Sequence, residues 1–100
     1  MNIVWQRRAK HHVETIREYI RQFNPTAAVG MAEQIVKSVG TLASFPQIGK
    51  AGRVQDTREL AVAGTPYIIV YRVRDEVVII LAIFHGAQIQ CARRLESGLN

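Results

Sequence analysis

The sequence predicts an α+β fold in which an N-terminal helical hairpin packs on a small, twisted, mostly antiparallel β-sheet, in the order β-α-α-β-β-β. Three observations lead to this fold class. Apolar side chains recur every three or four residues through the first half of the chain, as they do in amphipathic helices. An Asn-Pro pair interrupts that pattern and marks the start of a second helix. Runs rich in β-branched and aromatic residues, separated by turn signals, fill the second half and predict strands.

The first strand and the first helix are predicted from the N-terminal residues. Residues 2–5 are a short apolar stretch, and residues 6–23 have the spacing of an amphipathic helix. The apolar side chains of this helix are Ala9, Val13, Ile16, Ile20 and Phe23. Their spacing places them on one stripe of the helix surface, while the charged side chains fall mostly elsewhere. The helix therefore has one apolar face to bury.

The second helix is predicted at residues 25–44. Asn24 can accept a hydrogen bond from the unpaired amides of a first helical turn, and Pro25 suits the first position because its missing N–H has no partner there. Two amphipathic helices joined this closely must fold back as a hairpin. Gly30 and Gly40 each weaken the helix by about 1 kcal/mol relative to alanine. Close packing against a neighbour is one way to offset that cost.

The second half of the chain predicts a loop and an antiparallel meander. The loop covers residues 45–53. The strands follow at 58–62, 67–73 and 77–84, and the turns between them lie at 63–66 and 74–76. The last strand is apolar at every position, whereas an antiparallel strand with one face in water should alternate. We therefore expect it to be central and covered on both faces. One helical hairpin covers only one face of a sheet, so a partner is a candidate for the other.

Composition limits the possible function. A chain of 100 residues without linkers or repeats predicts a single domain spanning residues 1–100, and its formal net charge of +5 favours anionic partners such as nucleic acid or an acidic protein segment. No apolar stretch reaches the ~18–20 residues of a membrane span. Cys91 is the only cysteine, so we expect no internal disulfide and a cytoplasmic location. His11, His12, His85 and Cys91 lack metal-ligand spacing, and we expect neither a metal nor a cofactor.

One group of residues suggests RNA cleavage. Arg58 and Arg72 on neighbouring strands could approach each other, close to His85 at the end of the last strand. Cations stabilise the charge that builds on a phosphate, and an imidazole transfers protons near neutral pH. The structural alternative is that Arg72 forms a cross-strand ion pair with Glu59 and that His85 only ends its strand.

The order of several segments resembles the RelE/ParE superfamily, the toxins of type II toxin–antitoxin modules. The segments are "NPTAA", "LASFPQIGKAGR", "TRELAV", "PYIIVYRV" and "IFHGAQ". The resemblance covers about residues 2–88, and the tail at 89–100 departs from it. It implies a helical hairpin on a small, mostly antiparallel sheet. It also implies a cognate antitoxin whose C-terminal segment wraps around the toxin and neutralises it.

The superfamily divides by target, and the residues here favour the ParE-like branch. Ribosome-dependent ribonucleases of the RelE branch usually carry an arginine where this sequence has Ile68, and many have a functional tyrosine in the C-terminal part, where none follows Tyr71. Leu60 and Val62 add no second charge beside Arg58. The resemblance thus implies a DNA gyrase poison without chemistry of its own. The alternative is a RelE-like mRNA endonuclease that uses Arg58, Arg72 and His85.

Partner-binding residues are expected along the apolar groove between the helical hairpin and the sheet. Such a groove can receive an amphipathic helix or an added strand, and positive charge around it speeds capture of an acidic partner. The candidates are Val13, Ile16, Ile20, Ile35, Val39, Ile68, Val70 and Arg72. The expected assembly is a hetero-oligomer with the antitoxin. A free-standing basic domain that binds nucleic acid is the third hypothesis, and it predicts salt-sensitive binding without a partner.

Overall fold

The computed structural model describes residues 1–86 and confirms the predicted α+β fold. Two helices pack on one five-stranded mixed sheet. The elements are β1 (Asn2–Trp5), α1 (Arg7–Arg21), α2 (Pro25–Ser44), β2 (Lys50–Ala51), β3 (Arg58–Ala61), β4 (Tyr67–Arg74) and β5 (Val77–His85). The tail at 89–100, including Cys91, lies outside the described residues.

The sheet has the strand order β1-β5-β4-β3-β2. Strand β1 pairs with β5 in parallel, and the other three pairings are antiparallel, as the prediction of a mostly antiparallel sheet requires. Strand β2 lies within the predicted loop and was missed, because two residues are too few to show a periodic pattern. It pairs Lys50 with Glu59 and Ala51 with Arg58, which adds a short strand at the sheet edge.

The helical hairpin forms as predicted, and α2 has the predicted bounds. The N–H of Ala27 donates to Asn24 Oδ1 at 3.0 Å, so the predicted cap is confirmed. Helix α1 ends at Arg21, earlier than expected, and Asn24 already has the extended backbone of the cap that begins α2. Phe23, which the periodicity placed on the buried stripe, is therefore exposed beyond the end of the helix.

The core lies between the hairpin and one face of the sheet. Its buried side chains include Ala9, Ile35, Val39, Leu42, Val62, Ile69, Tyr71, Val78, Ile80 and Ile83. Burying these apolar groups stabilises the fold by roughly 25 cal/mol for each Å² removed from water. The core therefore fixes the orientation of both helices against β4 and β5.

Neither helix of residues 1–86 packs on the opposite face of the sheet. Ile68 and Val70 of β4 and Ile79 of β5 lie on it, and their side chains are half-buried. The expectation that β5 is covered on both faces therefore stays a prediction, with a partner as the candidate for this second face. We refer to this surface of Ile68, Val70, Arg72 and Ile79 as the open face.

The expectation that a neighbour packs closely against the glycines of α2 is wrong. A Cβ added at Gly30 or Gly40 would meet no heavy atom within 4 Å, so no neighbour packs closely against these glycines. Both lie on the outward side of α2, away from the core.

Neither helix in residues 1–86 is long and apolar enough to cross a membrane.

Candidate functional site

The two arginines of the suggested RNA-cleaving group face opposite sides of the sheet. Strand β3 pairs Arg58 with Tyr71, and β5 pairs Ile79 with Arg72. Residues directly opposite each other in an antiparallel pair share a face, and successive residues of a strand alternate between faces. Arg58 therefore lies on the side of buried Tyr71, and Arg72 lies on the open face. The expectation that they approach each other is wrong.

Arg58 binds the loop that follows α2. Its Nη1 donates to the carbonyl of Gly49 at 2.8 Å and to that of Gln47 at 3.4 Å, and its Nη2 donates to Gln47 Oε1 at 2.9 Å. These bonds occupy much of the donor capacity of the guanidinium group. In the folded chain, Arg58 therefore holds the loop in place.

Arg72 and Glu59 do not form the expected ion pair. Arg72 Nε donates to the carbonyl of Asp56 at 3.4 Å. The buried carboxylate of Glu59 instead accepts from the backbone N–H of Arg53 at 3.0 Å, and Arg53 Nε lies 4.0 Å from its other oxygen. The loop between β2 and β3 folds back to bring Arg53 close to Glu59, which the strand pattern alone does not show.

His85 lies at the far end of β4 from Arg72. It pairs with Tyr67, and the two rings meet edge to face with centroids 5.6 Å apart. Tyr67 and Arg72 are five residues apart on β4, which corresponds to about 16 Å at ~3.3 Å per residue. Arg58, Arg72 and His85 therefore do not converge on a common phosphate-sized site.

A cleft opens instead beside α1. A volume of about 370 Å³ is lined by Thr15, Ile16, Tyr19, Tyr67 and His85. A second, of about 200 Å³, is lined by His12, Thr15, Ile16, Ile83 and Phe84. Because the two share Thr15 and Ile16, we treat them as one surface, the α1 cleft. The exposed ring of Tyr19 stands at its edge and packs edge to face on that of Phe23, with centroids 5.5 Å apart.

His12 joins α1 to β5 at this cleft. Its Nδ1 accepts the backbone N–H of Ile83 at 3.1 Å, and its ring packs against that of Phe84. Burial lowers the pKa of His12 below its ordinary value, and the positive charges of Arg8 and His11 lower it further. The neutral imidazole is thereby favoured, and only that form leaves Nδ1 able to accept.

The residues predicted to bind a partner fall on three parts of the molecule. Ile16 lines the α1 cleft, and Val13 and Ile20 are partly buried beside the core. The open face carries Ile68, Val70 and Arg72. Ile35 and Val39 are enclosed in the core between α2 and the sheet, so they offer no surface and we leave them out of the docking surface. The single predicted groove is therefore two separate surfaces.

Comparison with known proteins identifies the family. Residues 3–90 match the family model described as the ParE toxin of the type II toxin–antitoxin system, parDE. This chain belongs to the ParE toxin family. It is accordingly a toxin of a type II toxin–antitoxin system.

Relatives of this ParE family toxin agree with the assignment. The chain is 40% identical over 86 residues to the protein Y4kP of Sinorhizobium fredii, covering 86% of this chain and 88% of that protein. It is 39% identical over 87 residues to Toxin RelE2 of Caulobacter vibrioides, covering 87% of this chain and 97% of that toxin.

Solved structures share the fold of this ParE family toxin. A chain of the chromosomal ParDE toxin–antitoxin system of P. aeruginosa superposes with a TM-score of 0.78 at 24% identity, covering 85% of this chain and 95% of that one. A chain of the intact E. coli RelBE toxin–antitoxin complex superposes with a TM-score of 0.58 at 21% identity, covering 82% and 92%. Both solved structures are of toxin–antitoxin systems.

Sequence reasoning missed several surface features of this ParE family toxin. It did not assign Tyr19 or His12 to the cleft, although both are on the predicted first helix. The four-residue spacing of Tyr19 and Phe23 was an available signal, since it makes neighbours of two rings on one helix. No pattern in the sequence indicated the contact of His12 with β5, because 71 residues separate the two bonded groups. Among residues 1–86, no three His, Cys, Asp or Glu side chains are grouped to hold a metal ion.

Proposed function

We propose that this toxin inhibits DNA gyrase by direct protein contact, without a catalytic step of its own. The observation that carries the proposal is the separation of Arg58 and Arg72 onto opposite faces of the sheet. Cleavage of RNA at phosphate needs donors that converge where charge develops, together with a proton-transferring group in reach. Ile68 adds to this argument, because its side chain has no donor for a phosphate.

The antitoxin contacts this toxin, in our proposal, at the α1 cleft and the open face. Both surfaces present apolar side chains, and the chain carries a net charge of +5. An amphipathic antitoxin segment with acidic side chains would bury the apolar groups and be attracted by the positive field. Gyrase and a co-expressed antitoxin are cytoplasmic proteins, so the proposal also places the toxin in the cytoplasm.

A gyrase-cleavage assay tests the proposed target. Purified toxin is incubated with gyrase, ATP and supercoiled plasmid, and cleaved DNA is measured after protein denaturation. We expect cleaved DNA to accumulate and to return to background when the antitoxin is added first. Folded toxin that produces no cleaved DNA at several-fold excess over gyrase would contradict the proposal.

An in-vitro translation assay tests the ribonuclease alternative, which the name of the relative Toxin RelE2 keeps in consideration. Toxin is added to translating ribosomes, and cleavage of the mRNA is then measured by primer extension. We expect intact message with the wild-type toxin. Cleavage within ribosomes that disappears in the double variant Arg72→Ala, His85→Ala would establish the alternative.

A further inference from the structure

A tight turn connects α2 to β2 and presents two apolar side chains to solvent. The N–H of Ile48 donates to the carbonyl of Phe45 at 3.3 Å, which closes a β-turn with Pro46 at its second position. The exposed fraction of the residue is 60% for Phe45 and 50% for Ile48. The first and last Cα atoms of a β-turn lie within about 7 Å of each other, so the turn displays two exposed apolar residues within a short distance, which we call the apolar patch.

The backbone of this turn is held by a buried tyrosine. The hydroxyl of Tyr71 donates to the carbonyl of Pro46 at 2.8 Å and accepts from the N–H of Gly49 at 2.9 Å. Tyr71 is fully buried, so this anchor belongs to the core. A Cβ at Gly49 would lie 2.5 Å from the Tyr71 hydroxyl, so a residue without one is needed for this close approach.

Arg58 holds the same turn from β3. Its guanidinium donates to the carbonyl and the side chain of Gln47 and to the carbonyl of Gly49. Together with the tyrosine, it leaves the turn little freedom while Phe45 and Ile48 stay outside the core. A fixed backbone that displays apolar side chains loses little conformational entropy when it binds, and such preorganised anchors contribute most to protein–protein affinity.

We propose that turn 45–48 is the surface through which the toxin contacts its target protein, with Phe45 and Ile48 entering an apolar pocket on that protein. Two cations flank the turn: Arg58, bonded to Gln47, and the exposed Lys50. The pocket that fits it is therefore rimmed by acidic side chains. This inference rests on the proposed inhibition by protein contact.

The turn is distant from the end of the α1 cleft at Tyr19. It follows the C-terminus of α2, whereas Tyr19 and Phe23 lie at the end of α1 that adjoins the N-terminus of α2. Helix α2 has 20 residues, which corresponds to a length of about 30 Å. Target contact and antitoxin docking at the cleft are thus separable by mutation.

The test compares two double variants. Phe45→Ser with Ile48→Ser removes the apolar patch, and Val29→Ser with Val36→Ser removes apolar groups of similar exposure, 56% and 54%, from the outward face of α2. Each protein is expressed without antitoxin, and growth arrest is measured against expression level. Thermal unfolding and antitoxin affinity are measured on the purified proteins.

We expect the turn variant to need at least about tenfold more protein for the same growth arrest, as loss of an interface anchor implies. Its melting temperature and antitoxin affinity should match those of the wild type, and the α2 variant should stay fully toxic. A turn variant as toxic as wild type would overturn the inference. So would an equal loss of toxicity in both variants, or a loss of antitoxin binding in the turn variant.

The gyrase assay keeps this inference distinct from the proposed function. A wild-type toxin that arrests growth but traps no cleaved DNA would overturn gyrase as the target. In that case the growth comparison still decides whether the turn contacts the target. A wild-type chain that does not arrest growth would overturn both.

Discussion

The hydroxyl of Tyr71, in the middle of the sheet, donates a hydrogen bond to the carbonyl of Pro46 in the turn after α2. Burial raises the pKa of Tyr71, so the phenol remains protonated and able to donate at physiological pH. The same oxygen accepts the N–H of Gly49. One core side chain thereby sets the position of a surface turn.

Tyr71→Phe is expected to lower the free energy of unfolding by about 1–3 kcal/mol, because two backbone groups lose their partner while the ring stays in the core. Urea or thermal unfolding measures the change. Tyr19→Phe is the matched control, since its hydroxyl belongs to an exposed side chain, and it should change stability by less than about 0.5 kcal/mol. Equal stability of the Tyr71→Phe variant and wild type would show that the two bonds contribute nothing net.

Stability should fall as the pH drops from 7 toward 5 because of His12. Its pKa is lowered in the folded state, so the unfolded chain binds more protons below the ordinary value of about 6.5. The contribution of the neutral ring is therefore fully present above that value and is lost as the pH falls below it and through the lowered pKa of the folded state. Protonation also removes the acceptor of the Ile83 N–H.

His12→Asn tests this assignment, because an asparagine oxygen can accept the Ile83 N–H without titrating. Melting temperatures between pH 5 and 7 should vary less in this variant than in wild type. His11→Asn, one residue earlier on the exposed side of α1, should keep most of the wild-type pH dependence, because burial is the largest cause of the lowered His12 pKa. Identical pH profiles for His12→Asn and wild type would rule out His12 as the source.

Asn24→Ala is expected to destabilise the protein by about 1 kcal/mol, because the N–H of Ala27 loses its acceptor at the start of α2. Chemical denaturation measures the loss. Asn24→Asp should remain close to wild type, since aspartate caps equally well and its charge suits a helix N-terminus. A destabilisation by aspartate as large as that by alanine would contradict the capping role.

Arg58→Ala should lower the free energy of unfolding by about 1–3 kcal/mol, because the guanidinium group donates a partly buried hydrogen bond to the carbonyl of Gly49 and further bonds to Gln47. Arg74→Ala is the control, because Arg74 forms an exposed ion pair with Asp56 that contributes under about 1 kcal/mol. The melting temperatures of the two variants, compared with that of the wild type, measure this difference. An unchanged melting temperature with lost toxicity in Arg58→Ala would argue for a direct role of this arginine in activity.

Local sequence patterns predicted most helices and strands, because the interactions that start and end them act between residues close in the sequence. The bounds of α2 follow from Asn24 and Pro25 and from apolar spacing within the helix, all of which act over a few residues. Strands β3, β4 and β5 were predicted to within one residue at each end. Strand β2 was missed because Lys50 and Ala51 carry no pattern and join the sheet only by pairing with β3.

The sequence alone specified the α+β class, the helical hairpin, the meander and the resemblance to the RelE/ParE superfamily, because those depend on short-range periodicity and on residue order. The site depended on strand register and on contacts between distant residues. Arg58 is opposite Tyr71, and a shift of one residue would have put it on the face of Arg72. The burial of Ile35 and Val39, the bond from Ile83 to His12 and the anchoring of turn 45–48 likewise arise only when the helices pack on the sheet. Which face of the sheet a side chain occupies depends on pairing between residues far apart in the sequence, so no local pattern predicts it.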